Sequence, residues 1–460
     1  MNKSFFSFVS LSTLIFLNQP GFVAEADTFL NGGPSLSNQS DQALNNLFKE
    51  REFKEGLVKV KVGGEFRYRL EYRDNFNLNN ATNEDDAVNL FRTRLNLDIH
   101  LGPYLRLFSE GQEAHSVAES GLNRTNAFVN ELDLRQLFTE VKSPLKTVPL
   151  TVKAGRQELA YGDERLVGAF NWSNVGRVFD AVKVIYLPKE WFQLDLFTSR
   201  VVRVEKDKVD TIPHSENFYG IYSTLKPIKD HILDAFLFIR HNRDESLRGE
   251  RSGEFGQLKE YTMGNRFKGK RWDFDYGTEY ALQFGSRAHD TIIAWAFHQE
   301  LGYTFSKLFW TPRLNIEYNH ASGDRNPTDG TFSTFDNLFP TNHDKYGYID
   351  FLSLKNMNDI KVGVGLKPHK KLSFSTDFHW FFLDAKESAW FNAGGGVFRA
   401  ANPNASTQLG EELDLLVAYK LTEHLNFLIG YSHFFTGPFA KDTGAHDDAN
   451  FFYIQSALKI

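Results

Sequence analysis

Arg67 and Arg69 stand two residues apart, as do Arg92 and Arg94, and as do Lys59 and Lys61. A guanidinium is planar, stays charged at any working pH and matches a carboxylate with two parallel hydrogen bonds. Several such groups in series along a watery path hold an anion weakly and repeatedly, which conducts better than one deep well. Arg106, Arg135 and Lys153 extend the candidate set, with Arg156 and Arg165 near a loop. Carboxylates are interleaved with them: Glu65, Glu71, Asp98, Glu110 and Asp133. For any single residue, the alternative is an ion pair across two strands that only braces a wall. As a group they form candidate pore-lining sites for an anionic solute. The stretch 271–284 leans the other way, with Asp273, Asp275 and Glu279 against Arg271. A basic wall facing an acidic one is therefore expected.

A spacing of two is the period of a strand, which sends alternate side chains to opposite faces. In LVKVKVGGEFRYRLEYR, residues 57–73, one face carries Val58, Val60, Val62, Phe66, Tyr68, Leu70 and Tyr72. The opposite face carries Lys59, Lys61, Glu65, Arg67, Arg69, Glu71 and Arg73. A soluble sandwich turns such an apolar face inward. A membrane barrel turns it to lipid and the charged face to a watery lumen. From residue 57 onward eighteen candidate strands can be counted, with weaker patterns near 132–142, 218–225 and 258–268, where bulges are expected. Eight short connections alternate with nine outer loops, most of them long and polar. That segregation is the pattern of a bacterial outer-membrane barrel with periplasmic turns and outside loops. The expected fold is all-β, a transmembrane up-and-down antiparallel barrel of about 18 strands.

Composition agrees. Of 460 residues, 15% are aromatic, including 44 Phe and 17 Tyr, which suits a lipid face and interfacial girdles. The net charge of −6 argues against nucleic acid as a partner. The absence of cysteine rules out disulfides, a thiolate nucleophile and Cys-ligated zinc. No G-x-S-x-G, H-E-x-x-H or P-loop is present, so neither enzyme activity nor a cofactor is expected. Asp442, Asp447 and Asp448 read as a solvated acidic loop rather than a calcium site. The loop segment TFSTFDNLFP, 331–340, is expected to pack into the barrel mouth. Lys3, apolar Phe5–Leu17 and Ala24-Glu25-Ala26 form a signal peptide, 1–26. Residues 27–56 read as a leader and 57–460 as the barrel, a monomer with outer-membrane lipids as partners.

Residues 155–186, GRQELAYGDERLVGAFNWSNVGRVFDAVKVIY, resemble the signature of the bacterial alginate export family of outer-membrane barrels. LDLRQLFTE (132–140) and SGDRNPTDGTFSTFDNLFPTNHDKYGYID (322–350) are similar to two further parts of that family. The resemblance implies an 18-stranded barrel in the outer membrane that passes a polyanionic, alginate-like polysaccharide or oligosaccharide through an arginine-lined lumen. A general or solute-specific diffusion porin for nutrient uptake is the alternative. Within the signature, Arg156, Asp163, Arg165 and Asp180 are expected to form a charged network that folds the loop inward.

Overall fold

Val58–Asp74 is one continuous strand, β1, in the computed structural model of the protein. Phe66, Tyr68 and Tyr72 are exposed on its outer side, whereas Arg67 and Arg69 are buried on its inner side. The structure describes residues 41, 44–53, 56–82, 86–118, 127–145 and 147–460. The expected signal peptide and residues 27–40 of the leader lie outside the described residues.

Seventeen further strands complete the wall. They are β2 Asp86–Leu101, β3 Leu105–Ala118, β4 Asn130–Lys142, β5 Leu150–Gln157, β6 Phe179–Lys189 and β7 Phe192–Val201. Next come β8 Glu216–Leu225, β9 His231–Arg248, β10 Phe255–Arg271, β11 Phe274–Arg287, β12 Asp290–Thr304 and β13 Arg313–Ala321. The last are β14 Met357–His369, β15 Leu372–Phe382, β16 Gln408–Lys420, β17 Leu425–Thr436 and β18 Ala449–Lys459. Each pairs antiparallel with its chain neighbours, and β18 pairs back onto β1, from Glu65↔Lys459 to Asp74↔Asn450. The sheet therefore closes at eighteen barrel strands, as the loop pattern predicts. Two short segments join it: Arg51–Phe53 beside the start of β1, and Thr331–Phe332 parallel to the start of β12. The weak pattern near 132–142 coincides with register shifts between β3 and β4, at Glu110/Gly111 and Gln112/Ala114.

The wall is inverted relative to a soluble protein. Leu95, Leu137, Ile221, Leu282, Ile293 and Ile316 are exposed on the outside. Arg92, Gln112, Asp234, Glu279, Glu317 and Asp414 are buried on the inside. Only a solvent more apolar than water makes that arrangement favourable. Tyr104, Trp191, Trp272, Phe309 and Trp310 are exposed at the short-turn end, where a girdle of aromatic rings marks a membrane–water interface. Among the described residues no helix is long and apolar enough to cross a membrane.

The interior is largely filled. The outer loops 322–356 and 383–407, with a short helix α1 at Pro438–Thr443, bring Phe335, Tyr346, Phe351, Trp390 and Phe439 into one apolar cluster inside the mouth. Phe335 is fully buried and Phe339 is 7% exposed, so 331–340 packs inward as expected. Asp442, Asp447 and Asp448 accept backbone N–H groups of Ser406, Asn80 and Thr436, and so tie neighbouring loops together.

The face assignment makes a direct prediction. Leu282 lies outward in mid-strand, 57% exposed. Leu282→Arg should destabilise the folded barrel by about 2–4 kcal/mol. Lys61→Gln, on the lumen face, should leave stability unchanged. Unfolding midpoints in urea, read from the heat-modifiable gel shift, check the ranking.

Candidate functional site

The arginines of β1 and β2 meet because the register places Arg67 directly opposite Arg92. Like charges so placed repel. What holds them is a loop, residues 158–178 between β5 and β6, which folds into the lumen. Arg67 donates to the carbonyls of Asn171 at 2.9 Å and Ser173 at 3.0 Å, and to Asn174 Oδ1 at 3.1 Å. Arg92 donates to the same two carbonyls at 3.0 and 2.9 Å, and pairs with Glu65 at 2.5 Å. Arg94 reaches Gln112 Oε1 at 2.7 Å, Asn171 Oδ1 at 2.8 Å and the Val175 carbonyl at 3.2 Å. Arg135 pairs with Glu110 at 2.8 Å and with Glu158.

Arg69 closes the grip from behind. It donates to the Trp172 carbonyl at 2.9 Å, pairs with Glu71 at 2.7 Å and stacks 3.7 Å from the centre of the Trp172 ring. His343 stacks on the same indole, with ring centres 3.7 Å apart. Asn174 is fully buried and donates to the Phe91 carbonyl at 3.0 Å and the Phe128 carbonyl at 2.9 Å. Gly176, at φ 82°, lies where any Cβ would come within 3.1 Å of Arg94 and 3.2 Å of Arg135. The loop backbone must approach the guanidiniums that closely to be held.

Beside the gripped loop lies a cavity of about 910 Å³. Arg67, Arg92, Arg94, Arg135 and Arg165 line it, and so do Glu65, Glu110, Glu158, Glu300 and Glu317. Counting every lining residue gives nine lysines and arginines against eight carboxylates. The wall is thus mixed in charge rather than purely basic. Most of the arginines are engaged with carbonyls and carboxylates of the protein itself.

The other expected residues are placed elsewhere. Arg106 pairs with Asp98 at 2.8 Å, and Lys153 sits 3.7 Å over the Phe138 ring. Lys59 pairs with Glu52 at 2.6 Å, while Lys61 is exposed. Arg156 corrects the expectation. It belongs to β5, opposite outward-facing Leu137, and pairs with Asp180 at 2.9 Å on the outer surface. The expected single network is therefore three separate contacts. Asp163 binds Arg266 at 2.8 Å and Lys268 at 3.0 Å. Burial would raise the pKa of its carboxyl, but these cations hold it well below the usual range. Arg165 meets Tyr346 Oη at 3.2 Å and Glu317 at 3.6 Å. Glu158 is half-buried, and Arg135 and Arg94 outweigh the effect of that burial and hold its pKa down. Lys268, Lys345, Lys361 and Lys459 also line the cavity and were not among the expected residues. Strand parity alone places Lys268 two positions from Arg266 on the inner face.

The grip has a measurable consequence. Arg67→Met removes three hydrogen bonds to the loop, each worth about 1.5–3 kcal/mol as a charge-assisted bond. The loop should loosen and single-channel conductance should rise. Lower conductance would show instead that Arg67 acts mainly by attracting the solute.

A family model described as alginate export matches residues 58–453. No curated protein matches the chain. Among solved structures, OccAB1 of Acinetobacter baumannii is similar at TM-score 0.59 and 10% identity, over 90% of this chain and 98% of that one. OpdO of Pseudomonas aeruginosa gives TM-score 0.57 and 10% identity, over 87% and 97%. OccD3 (OpdP) of the same organism gives 0.56 and 12%, over 90% and 93%. Identities this low show the fold alone. With the family match over most of its length, the inverted wall and the closed eighteen-strand sheet, the chain belongs to the alginate export family and is a channel of the bacterial outer membrane.

Proposed function

We propose that this channel exports a carboxylated saccharide chain, an alginate-like polymer or oligomer, and that it works as a monomeric conduit without catalysis. The observation that carries the reading is the gathering of five guanidiniums, Arg67, Arg69, Arg92, Arg94 and Arg135, on the wall beside the inward-folded loop 158–178. The carboxylates that contact them are four, Glu65, Glu71, Glu110 and Glu158, and Glu71 is shared with Arg73. Positive charge is in surplus there, and a low-dielectric wall focuses its field into the gap. Direction is supported by the short-turn end. Lys189, Lys226, Lys229, Lys270, Lys307, Lys367, Lys370 and Lys420 are all exposed around it. A polyanion arriving from the periplasm meets lysines first and arginines second.

The near balance of charge over the whole cavity favours a second reading, a diffusion porin for polar solutes of either sign. Planar-bilayer recordings separate the two. With a polymer exporter, an oligouronate added on the short-turn side should block the current far more strongly than an uncharged oligosaccharide of equal length. The block should weaken between 0.1 and 1 M salt, as the Debye length falls from about 10 to about 3 Å. Equal block by both sugars, or a preference for cations, would leave the porin reading standing.

A further inference from the structure

The outer surface of the wall carries charge where lipid-facing strands usually carry none. Near the long-loop end, the outward faces of β13 to β18 carry His320 and His433 beside Tyr318, Asn358, Glu411 and Asn450, and no lysine or arginine. On β5, β7, β9 and β10 the corresponding rim carries Arg156, Arg200, Arg243 and Lys259. Their faces follow from register and parity. Arg156 is opposite outward Leu137, Arg200 follows exposed Leu196 and Thr198, and Lys259 is two residues before outward Tyr261.

Arg156, Arg200 and Arg243 border a groove of about 840 Å³ between the wall and the loop 203–213. Its floor is apolar: Leu134, Leu137, Val182 and Tyr219, all exposed on the outer face. Val209 and Ile212 of the loop lean over it. Two carboxylates share the groove, and both are occupied. Asp180 pairs with Arg156 at 2.9 Å, and Asp133 accepts the backbone N–H of Asp210 at 2.9 Å. Arg200 is held in place by Asn217 Oδ1 at 3.0 Å and lies 3.0 Å from His214 Nδ1, and neither partner is a carboxylate. Arg243 and Lys259 are exposed, and among the described residues their side chains have no hydrogen-bond or ion-pair partner. Arg200 and Arg243 are therefore cations in surplus above an apolar slot.

We propose that this groove binds a phosphorylated, multiply acylated glycolipid of the outer leaflet. Arg200 and Arg243 take its phosphate, and an acyl chain lies on Leu137, Val182 and Tyr219. The height on the wall is the point of the argument. Cations at the rim of the apolar band meet headgroups, and the residues directly below meet acyl chains. An arginine fork matches a phosphate with two parallel bonds, which favours phosphate over a zwitterionic headgroup. A small free anion would gain nothing from the apolar floor.

The test uses the full barrel purified in detergent, with lipid binding read by native mass spectrometry. The probes are bis-phosphorylated lipid A, its dephosphorylated form and phosphatidylglycerol. Lipid A should bind best, and the Arg200→Gln/Arg243→Gln double variant should lose about tenfold in affinity, a change of about 1.4 kcal/mol. Heat-modifiable mobility and pore current serve as folding controls and should stay at wild-type values. If the double variant folds poorly, Arg243→Gln alone, which breaks no internal contact, should still weaken binding. Unchanged binding in the variants, or equal binding of the dephosphorylated lipid or of phosphatidylglycerol, would overturn the proposal.

Discussion

Two arginines face each other across the β1–β2 ladder, and neither could stay buried there alone. Burial strips a guanidinium of water, and each donor left without a partner costs about 1–3 kcal/mol. The carbonyls of Asn171 and Ser173 accept from both Arg67 and Arg92. The dependence runs both ways. Residues 171–175 lie outside the strands, so their carbonyls need partners that the ladder does not supply. Wall and loop thus satisfy each other, and the cavity is the space that this mutual fit leaves open. The Arg69–Trp172–His343 stack adds dispersion and cation–π attraction on the far side, which is strongest where water is excluded.

Much of the barrel was legible in the sequence because its physics is local. Period two assigns faces, and connection length assigns ends. That was enough to place Arg67, Arg69, Arg92 and Arg94 inside and to bring them onto neighbouring strands. What those arginines touch was not legible. Their loop partners lie between 77 and 107 residues later, in a loop whose inward path depends on the whole cylinder being present. Arg156 was misplaced for a related reason. The motif Gly155-Arg156 reads as the start of a loop, yet β5 continues to Gln157, and its pairing with Leu137 and Asp180 turns Arg156 outward. Segment 331–340 was readable, because three phenylalanines and a leucine in an outside loop have few stable places to go.

The interior is therefore neither an open pipe nor a uniformly charged tube. One part is an apolar plug around Phe335, Phe351 and Trp390, as fully buried as the core of a soluble domain. The other is a charged wall in which nearly every cation already has an internal partner. Any anion entering this space would have to compete with those partners rather than meet bare charge. Such competition keeps each site shallow, which suits flow better than capture. It also explains how so many like charges can be stored along one wall without forcing it apart.

The seam of the cylinder joins Glu65–Asp74 to Asn450–Lys459, nearly four hundred residues apart in the chain. β18 is the strand that pairs with this edge of β1, so the cylinder stays open until β18 docks. β1, which carries Arg67 and Arg69, is one lip of that seam. The gripped loop must therefore take its place while the wall is still a curved sheet, or slip in through the mouth afterwards. In the first case the loop acts as an internal template, presenting its carbonyls to the arginines on β1 before β18 arrives to lock them. Contacts this distant in sequence form slowly, because the entropy of closing so long a loop is lost before any pairing compensates for it. An early hold on one lip shortens that search.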